Sequence, residues 1–432
     1  MRVLFVTLLN KSQLYTMAPL IWATRGAGHQ VRVACAPDLA DDVAQLGFTP
    51  VEVGRIESDV RQDIVDAEPE ADPVEAVEAL KAPWVKPHQS EYGWDDPAQE
   101  WVHMTRDFIP LLTTDSFVDD LAGFAREWQP DLVVWNKLAY AGPVAAKAAG
   151  AASARFLWGV DAVGQLRAGW REAAKADPTI PDPLRDWLSP KLERHGVAYD
   201  ESAVLGHFSI DIAPEWVYHH PNAGVRYLPV RHVPYNGPSR VPDWVNEKPA
   251  KPRVCLTLGF SHRESHGVEA SAEDLLAAVA ELDIEVVATL SARQTAELGS
   301  VPDNVRIVEF VPLNVLLPTC AAIIHHGGTG TFGTALEHGV PQLIVPGTYW
   351  NEKYWAPVAQ GNGLEEQGAG VYVSDSDRLT PEALRGALER VLGDPSYREN
   401  AERLRRDLAG RPTPNEAVGL MEKLTAEHRA RS

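Results

Sequence analysis

Basic residues are scarce: 40 lysines and arginines stand against 60 aspartates and glutamates in 432 residues, a formal charge of −20. A duplex nucleic-acid binder needs a basic face that displaces counterions from phosphates, so that class is set aside, and so is adsorption to anionic lipid. Cysteine is nearly absent. Cys35, Cys255 and Cys320 are far apart, odd in number and embedded in apolar runs, with no metal-ligand spacing around them. They read as reduced core thiols of a cytoplasmic protein. Long apolar runs are missing too: the stretch after Arg2 lasts seven residues, too short for a membrane span and without a small-residue cleavage site, so it reads as a first strand. No repeat longer than a two-fold similarity and no low-complexity tract is present.

What is there is an ordinary globular composition, 45% apolar, over a length suited to two or three domains. The acidity is uneven. Between Asp59 and Glu100 twelve acidic residues face three basic ones, a local charge of −9, with Trp84 and Trp94 among them. This segment is either a solvated excursion between core elements or a loop that contacts something.

Strand-like and helical runs alternate over most of the chain, the pattern of parallel sheets with helices on both faces. In the first half, strands are expected at Val3–Leu8, Val31–Ala34, Leu132–Trp135 and Arg155–Trp158, with a helix capped by Ser12 that stops at Gly26-Ala27-Gly28. The proline-rich stretch from Tyr235 to Pro252 has no periodicity and reads as a linker. A second alternation follows, with strands at Val254–Leu258, Glu285–Thr289, Val305–Phe310, Ala322–His325 and Gln342–Val345, and helices from about Pro381 to Glu427. The fold class is therefore α/β, two doubly wound Rossmann-like domains facing a cleft. The expected division is 1–235, a linker 236–252, a second domain 253–410, and a terminal helix 411–432 that crosses back to the first domain.

The stretch that carries chemistry is Cys320-Ala-Ala-Ile-Ile-His-His-Gly-Gly-Thr-Gly-Thr331. A buried strand leads to two histidines, a glycine-rich turn and a helix start. Gly327, Gly328 and Gly330 let backbone approach a ligand, and the free amides of a first helical turn suit a diphosphate. Thr329 and Thr331 can donate hydroxyl hydrogens to phosphate oxygens, and His325 or His326 can offer a ring N–H to a leaving phosphate. There is no Gly-Lys-Ser or Gly-Lys-Thr, so this is not a nucleoside-triphosphatase loop. The turn after the first strand, Leu9 to Tyr15, contains no glycine, which leaves the first domain for an acceptor.

The chain resembles the family 1, GT-B glycosyltransferases that decorate macrolide and aromatic polyketide antibiotics with deoxysugars, most closely the erythromycin-type desosaminyltransferases. The resemblance runs almost end to end, through Asn10-Lys-Ser with Ala18-Pro-Leu and Ala27-Gly-His, Trp128 to Trp135, Phe156-Leu-Trp-Gly-Val-Asp161, Tyr235-Asn-Gly-Pro-Ser, Val254 to Gly259, Phe310-Val-Pro312, Leu317-Pro-Thr-Cys320 and His325-His-Gly-Gly. It implies inverting transfer from a thymidine or uridine diphosphate sugar, without a required metal or other cofactor. It places the base near Val311 and the diphosphate on His325 to Thr331 with Gly259 and Ser261. Asn351 and Glu352 then stand where sugar-binding Asp and Gln, or Asp and Thr, are usual, with amide and acid reversed. Trp84 and Trp158 fall on the acceptor side.

The main departure is Gln13, where the family carries a histidine that takes the acceptor proton. Such a base is worth roughly 100-fold to 10,000-fold, and an amide cannot supply it. Three explanations stay open: another base, with Asp161 the leading candidate and His88, His103 and Glu91 weaker ones; an intrinsically acidic acceptor, such as a phenol or an activated ring carbon; or a partner that completes the site. The resemblance implies an auxiliary activator similar to a cytochrome P450 without haem, and a second copy of the chain is a further partner option. Two other classes fit the same fold: a catalytically weakened relative that binds donor or partner and regulates a transferase, and a nucleotide-sugar epimerase. The apolar first domain favours transfer.

Overall fold

The computed structural model describes residues 1–8, 11–55, 96–221, 223–257, 272–296, 298–347 and 356–429. Among the described residues, thirteen strands form two all-parallel sheets. The first has the order β3-β2-β1-β4-β5-β6-β7, from β1 (Arg2–Val6), β2 (Gln30–Cys35), β3 (Pro50–Glu52), β4 (Leu132–Asn136), β5 (Ala152–Leu157), β6 (Phe208–Asp211) and β7 (Arg226–Pro229). The second has the order β10-β9-β8-β11-β12-β13, from β8 (Arg253–Thr257), β9 (Glu285–Thr289), β10 (Val305–Val308), β11 (Ala322–His325), β12 (Gln342–Ile344) and β13 (Gly370–Tyr372). Central strands such as Leu-Val-Val-Trp-Asn of β4 are buried along their whole length, because helices cover both faces of a parallel sheet.

Local signals set the element ends. The helix Asp115–Trp128 starts where the Thr114 hydroxyl accepts the Phe117 N–H, and the helix Ala141–Ala149 stops at Gly150, whose φ of 65° suits a residue without Cβ. Each sheet has an apolar layer on either side, one built on Leu4, Trp135 and Val144 and another on Phe5, Ile21 and Val134 in the first half. The helix Pro414–Arg429 adds Ala417 and Met421 to the latter layer, so the chain returns to the first sheet. Cys35, Cys255 and Cys320 are buried and unpaired, and burial pushes the Cys35 and Cys320 thiols up to about 12. Among the described residues no helix is long and apolar enough to cross a membrane.

A further apolar cluster joins the halves at their facing edges. Val160, Ala213 and Tyr218, beyond the ends of β5 and β6, pack with Phe332 and Leu336 of the helix Thr329–Glu337 and with Leu404 and Leu408. Glycines permit this closeness: a Cβ on Gly333 would lie 2.3 Å from the His232 ring, and one on Gly363 would lie 2.8 Å from Trp216.

Candidate functional site

Parallel strands end at one edge, and there their loops gather side chains from distant parts of the sequence. In the second sheet β11 carries His325 into the interior, 1% exposed. Its Nδ1 accepts the Gly327 N–H at 3.0 Å and its Nε2 lies 2.9 Å from Gln342 Oε1 in the neighbouring strand β12. Both partners need the neutral ring with the proton on Nε2. Burial lowers its pKa to about 4, against the opposite effect of the Gln342 bond. His325 therefore braces the turn from beneath, and it has no ring N–H left for a leaving phosphate, contrary to the role expected for it.

The turn above is shaped by what it lacks. Gly327 has φ 93°, and a Cβ there would meet Pro357 atoms at 2.6 to 3.0 Å. A Cβ on Gly328 would lie 2.7 Å from His326 Nε2, so the half-buried imidazole lies against this glycine. Gly328 caps the helix Thr329–Glu337 without any side-chain bond, which leaves first-turn amides of Thr329, Gly330 and Thr331 uncapped by a side chain. Gly330 is exposed with open space around it. Such amides, with the helix dipole, are the kind of group that can receive an anion. Val311 is buried in the core, so only its main chain can face a ligand. Thr257 and Thr289, which end β8 and β9, share a 2.6 Å hydroxyl hydrogen bond at the same edge. Gly259, Ser261, Asn351, Glu352, Trp84, His88 and Glu91 lie outside the described residues.

The first sheet's edge holds a different set. Asp161 is wholly buried. Its Oδ1 and Oδ2 accept the two Arg155 guanidinium nitrogens at 3.0 and 2.7 Å, and it also accepts the Gly164 N–H at 2.9 Å and the Tyr227 hydroxyl at 2.7 Å. Burial alone would raise its pKa, but Arg155 and these donors hold it below the ordinary carboxylate value. Asp161 is thus the cap of the helix Ala162–Ala176 and half of a buried ion pair, not a general base as expected. The reason is Arg155, wholly buried within β5.

Sequence reasoning missed two neighbours, Asn136 and Lys137. Asn136, the last residue of β4, donates to Gln13 Oε1 at 2.9 Å and accepts the Leu138 N–H and the Trp158 indole N–H. Lys137 is buried, donates to the carbonyls of Trp158 and Val160 at 2.6 and 2.8 Å, and stands 4.1 Å from the Trp158 ring centre. Burial pushes its ammonium down to about 7 despite the pull of Asp161 and Asp211. Their only signal was a polar pair directly after an apolar strand. Gln13 and Trp158 are half-buried at this edge, and His103 ends the helix Pro97–His103.

Two parallel α/β sheets in one chain, a glycine turn with uncapped helix amides on the second and a polar edge with Trp158 on the first, are the architecture of a GT-B glycosyltransferase. Models of the erythromycin biosynthesis protein CIII-like family match residues 22–259 (N-terminal domain) and 273–424 (C-terminal domain), and the chain belongs to that family. It is 44% identical to the aclacinomycin-T 2-deoxy-L-fucose transferase of Streptomyces galilaeus, over 99% of this chain and 97% of that one. It is 40% identical to the 3-alpha-mycarosylerythronolide B desosaminyl transferase of Saccharopolyspora erythraea, over 99% of both. The crystal structure of the glycosyltransferase VinC in complex with dTDP superposes with a TM-score of 0.79 at 38% identity, covering 99% of this chain and 100% of that one. The chain is an enzyme, a glycosyltransferase of the antibiotic deoxysugar group.

Proposed function

We propose that the enzyme moves a deoxysugar or aminodeoxysugar from a thymidine or uridine diphosphate to a polyketide-derived acceptor, with inversion at the anomeric carbon. The observation that carries this is the glycine turn braced by His325 and followed by uncapped helix amides. Residues 253–410 then hold the donor, with the diphosphate on Gly327 to Thr331, assisted by His326, Gly259 and Ser261. Backbone amides and the helix dipole meet the diphosphate charge in place of a divalent cation. The pyrimidine sits against the Val311 main chain, and Asn351 and Glu352 bind sugar hydroxyls. The acceptor lies on residues 1–235, against Gln13 and Trp158, with Trp84 on the same side.

The dTDP carried by VinC and the sugars named for the two relatives support this donor class. A P450-like auxiliary protein, a second copy of the chain and a cytoplasmic setting belong to the same reading, and the acidic stretch from Asp59 to Glu100 is the natural contact for a basic partner surface. The test is nucleotide release from thymidine diphosphate deoxysugars with an aglycone panel, with and without chelator and auxiliary protein. Release should exceed the buffer rate with at least one acceptor and survive the chelator. Buffer-level release under every condition defeats the reading.

A further inference from the structure

One amide at the acceptor edge has its direction fixed from below. The Leu138 backbone N–H can only donate, and it points at Asn136 Oδ1 at 3.2 Å; the Trp158 indole N–H, also a donor only, points at the same oxygen at 3.3 Å. Asn136 must therefore turn its Nδ2 the other way, where it donates to Gln13 at 2.9 Å. The Gln13 atom receiving that hydrogen has to be Oε1. Reversing Gln13 would set two NH2 groups against each other, and reversing Asn136 would aim an NH2 at two donors. Gln13 thus has its oxygen committed inward and Nε2, a donor only, to offer a ligand.

The position gives this direction its meaning. Gln13 lies in the first turn after β1, Asn136 ends β4 and Trp158 follows β5, and these three strands are adjacent at the centre of the sheet. Asn136 is wholly buried, whereas Gln13 and Trp158 are half-buried. The buried asparagine sets the orientation and the glutamine presents it. Among the described residues, two carboxylates of this edge are already committed: Asp161 to Arg155, Tyr227 and Gly164, and Asp211 to the Ala213 N–H, Tyr218 and His220.

We propose that Gln13, oriented by Asn136, binds the acceptor by donating an N–H to an oxygen that is already ionised, so that the enzyme glycosylates an acidic hydroxyl, a phenol or an enol. This rests on the glycosyltransferase reading above. The hydroxyl gives its proton to water before transfer. An electron pair of the resulting oxyanion then forms the bond to the anomeric carbon while the bond from that carbon to the diphosphate oxygen breaks, and the breaking pair leaves on the nucleoside diphosphate. Gln13 contributes a hydrogen bond to the anion and removes no proton.

The test uses the full chain, a thymidine diphosphate deoxysugar that it turns over, a series of hydroxycoumarins whose ring substituents vary the phenol acidity, and an aliphatic secondary alcohol. For the wild type, kcat/KM on the phenols should rise with pH, with a midpoint that follows each phenol's own acidity. Asn136→Asp places an oxygen where Nδ2 was and draws the Gln13 NH2 inward. It should cost roughly ten- to a hundredfold on phenols, the range of a hydrogen bond to a charged group, while calorimetric affinity for thymidine diphosphate holds. Gln13→Glu keeps the bond to Asn136 and turns an oxygen outward; it should show the same loss, and it stands in if Asn136→Asp does not fold. Transfer to the alcohol alone, one midpoint for every phenol, or wild-type rates in both variants overturns the proposal. Nucleotide-binding enzyme that transfers sugar to none of these acceptors overturns the transferase reading instead.

Discussion

The two sheet edges that face each other are built on opposite principles. The first holds buried formal charges, Arg155, Asp161, Lys137 and Asp211, each satisfied by a neighbour within the protein. Among the described residues the second offers a neutral histidine, glycines and the uncapped start of a helix, with Asp375 a buried carboxylate beyond β13. Charges already bonded within the protein, Arg155 to Asp161 and Lys137 to two carbonyls, hold shape. Unspent amides carry only partial charge, yet they are the groups that can receive a dianion, and in a chain of net charge −20 the attraction has to be this local.

That contrast can be broken at several points. Asp161→Ala should do the most damage, leaving the buried Arg155 with Ser209 but without its counter-charge, at a cost of about 3 to 5 kcal/mol. Urea unfolding reads this, and an unchanged midpoint would mean that the pair holds nothing together. Gly327→Ala forces a side chain into φ 93° and against Pro357, so thymidine diphosphate affinity should drop roughly tenfold or more while the fold persists. Calorimetry at wild-type affinity would move the cradle elsewhere.

Two buried histidines, His325 on β11 and His232 beyond β7, predict a pH response. Burial lowers both His325 and His232 from the ordinary 6.5 to about 4, so between those values the unfolded chain takes up protons that the folded chain refuses. Stability contributed by each is complete above pH 6.5 and falls by roughly 1.4 kcal/mol per unit as pH drops through that window. His232→Leu should flatten the slope of unfolding free energy against pH, and an identical slope would contradict the burial argument. Least of all should come from Lys175→Ala, which removes an exposed pair with Glu172 and should shift stability by under about 0.5 kcal/mol, a baseline for the rest.

Legibility in the sequence followed how far each feature depended on its own neighbours in the chain. The central strands announce themselves by apolar runs, as at Ala322–His325, whereas β7 (Arg-Tyr-Leu-Pro) at a sheet edge and the three-residue β13 carry too little apolar signal to be read. The glycine turn was legible because its residue types alone, two histidines followed by glycines and threonines, mark it in the chain. Asp161 was misread because a carboxylate at a strand end looks alike whether free or paired. The clue was an arginine six residues earlier inside an apolar strand, where an unpaired charge does not survive. Asn136 acquires its role only when β1 and β5 bring Gln13 and Trp158 to it, which no local pattern records.

The helix Pro414–Arg429 closes one apolar layer of the first sheet with Ala417 and Met421. Protein synthesis runs in the other direction. The first sheet is translated long before its last covering residues leave the ribosome, so the earliest-made half is the last to be sealed. Until then the nascent chain carries an open greasy face around Ile21 and Phe156, the kind of surface that chaperones bind.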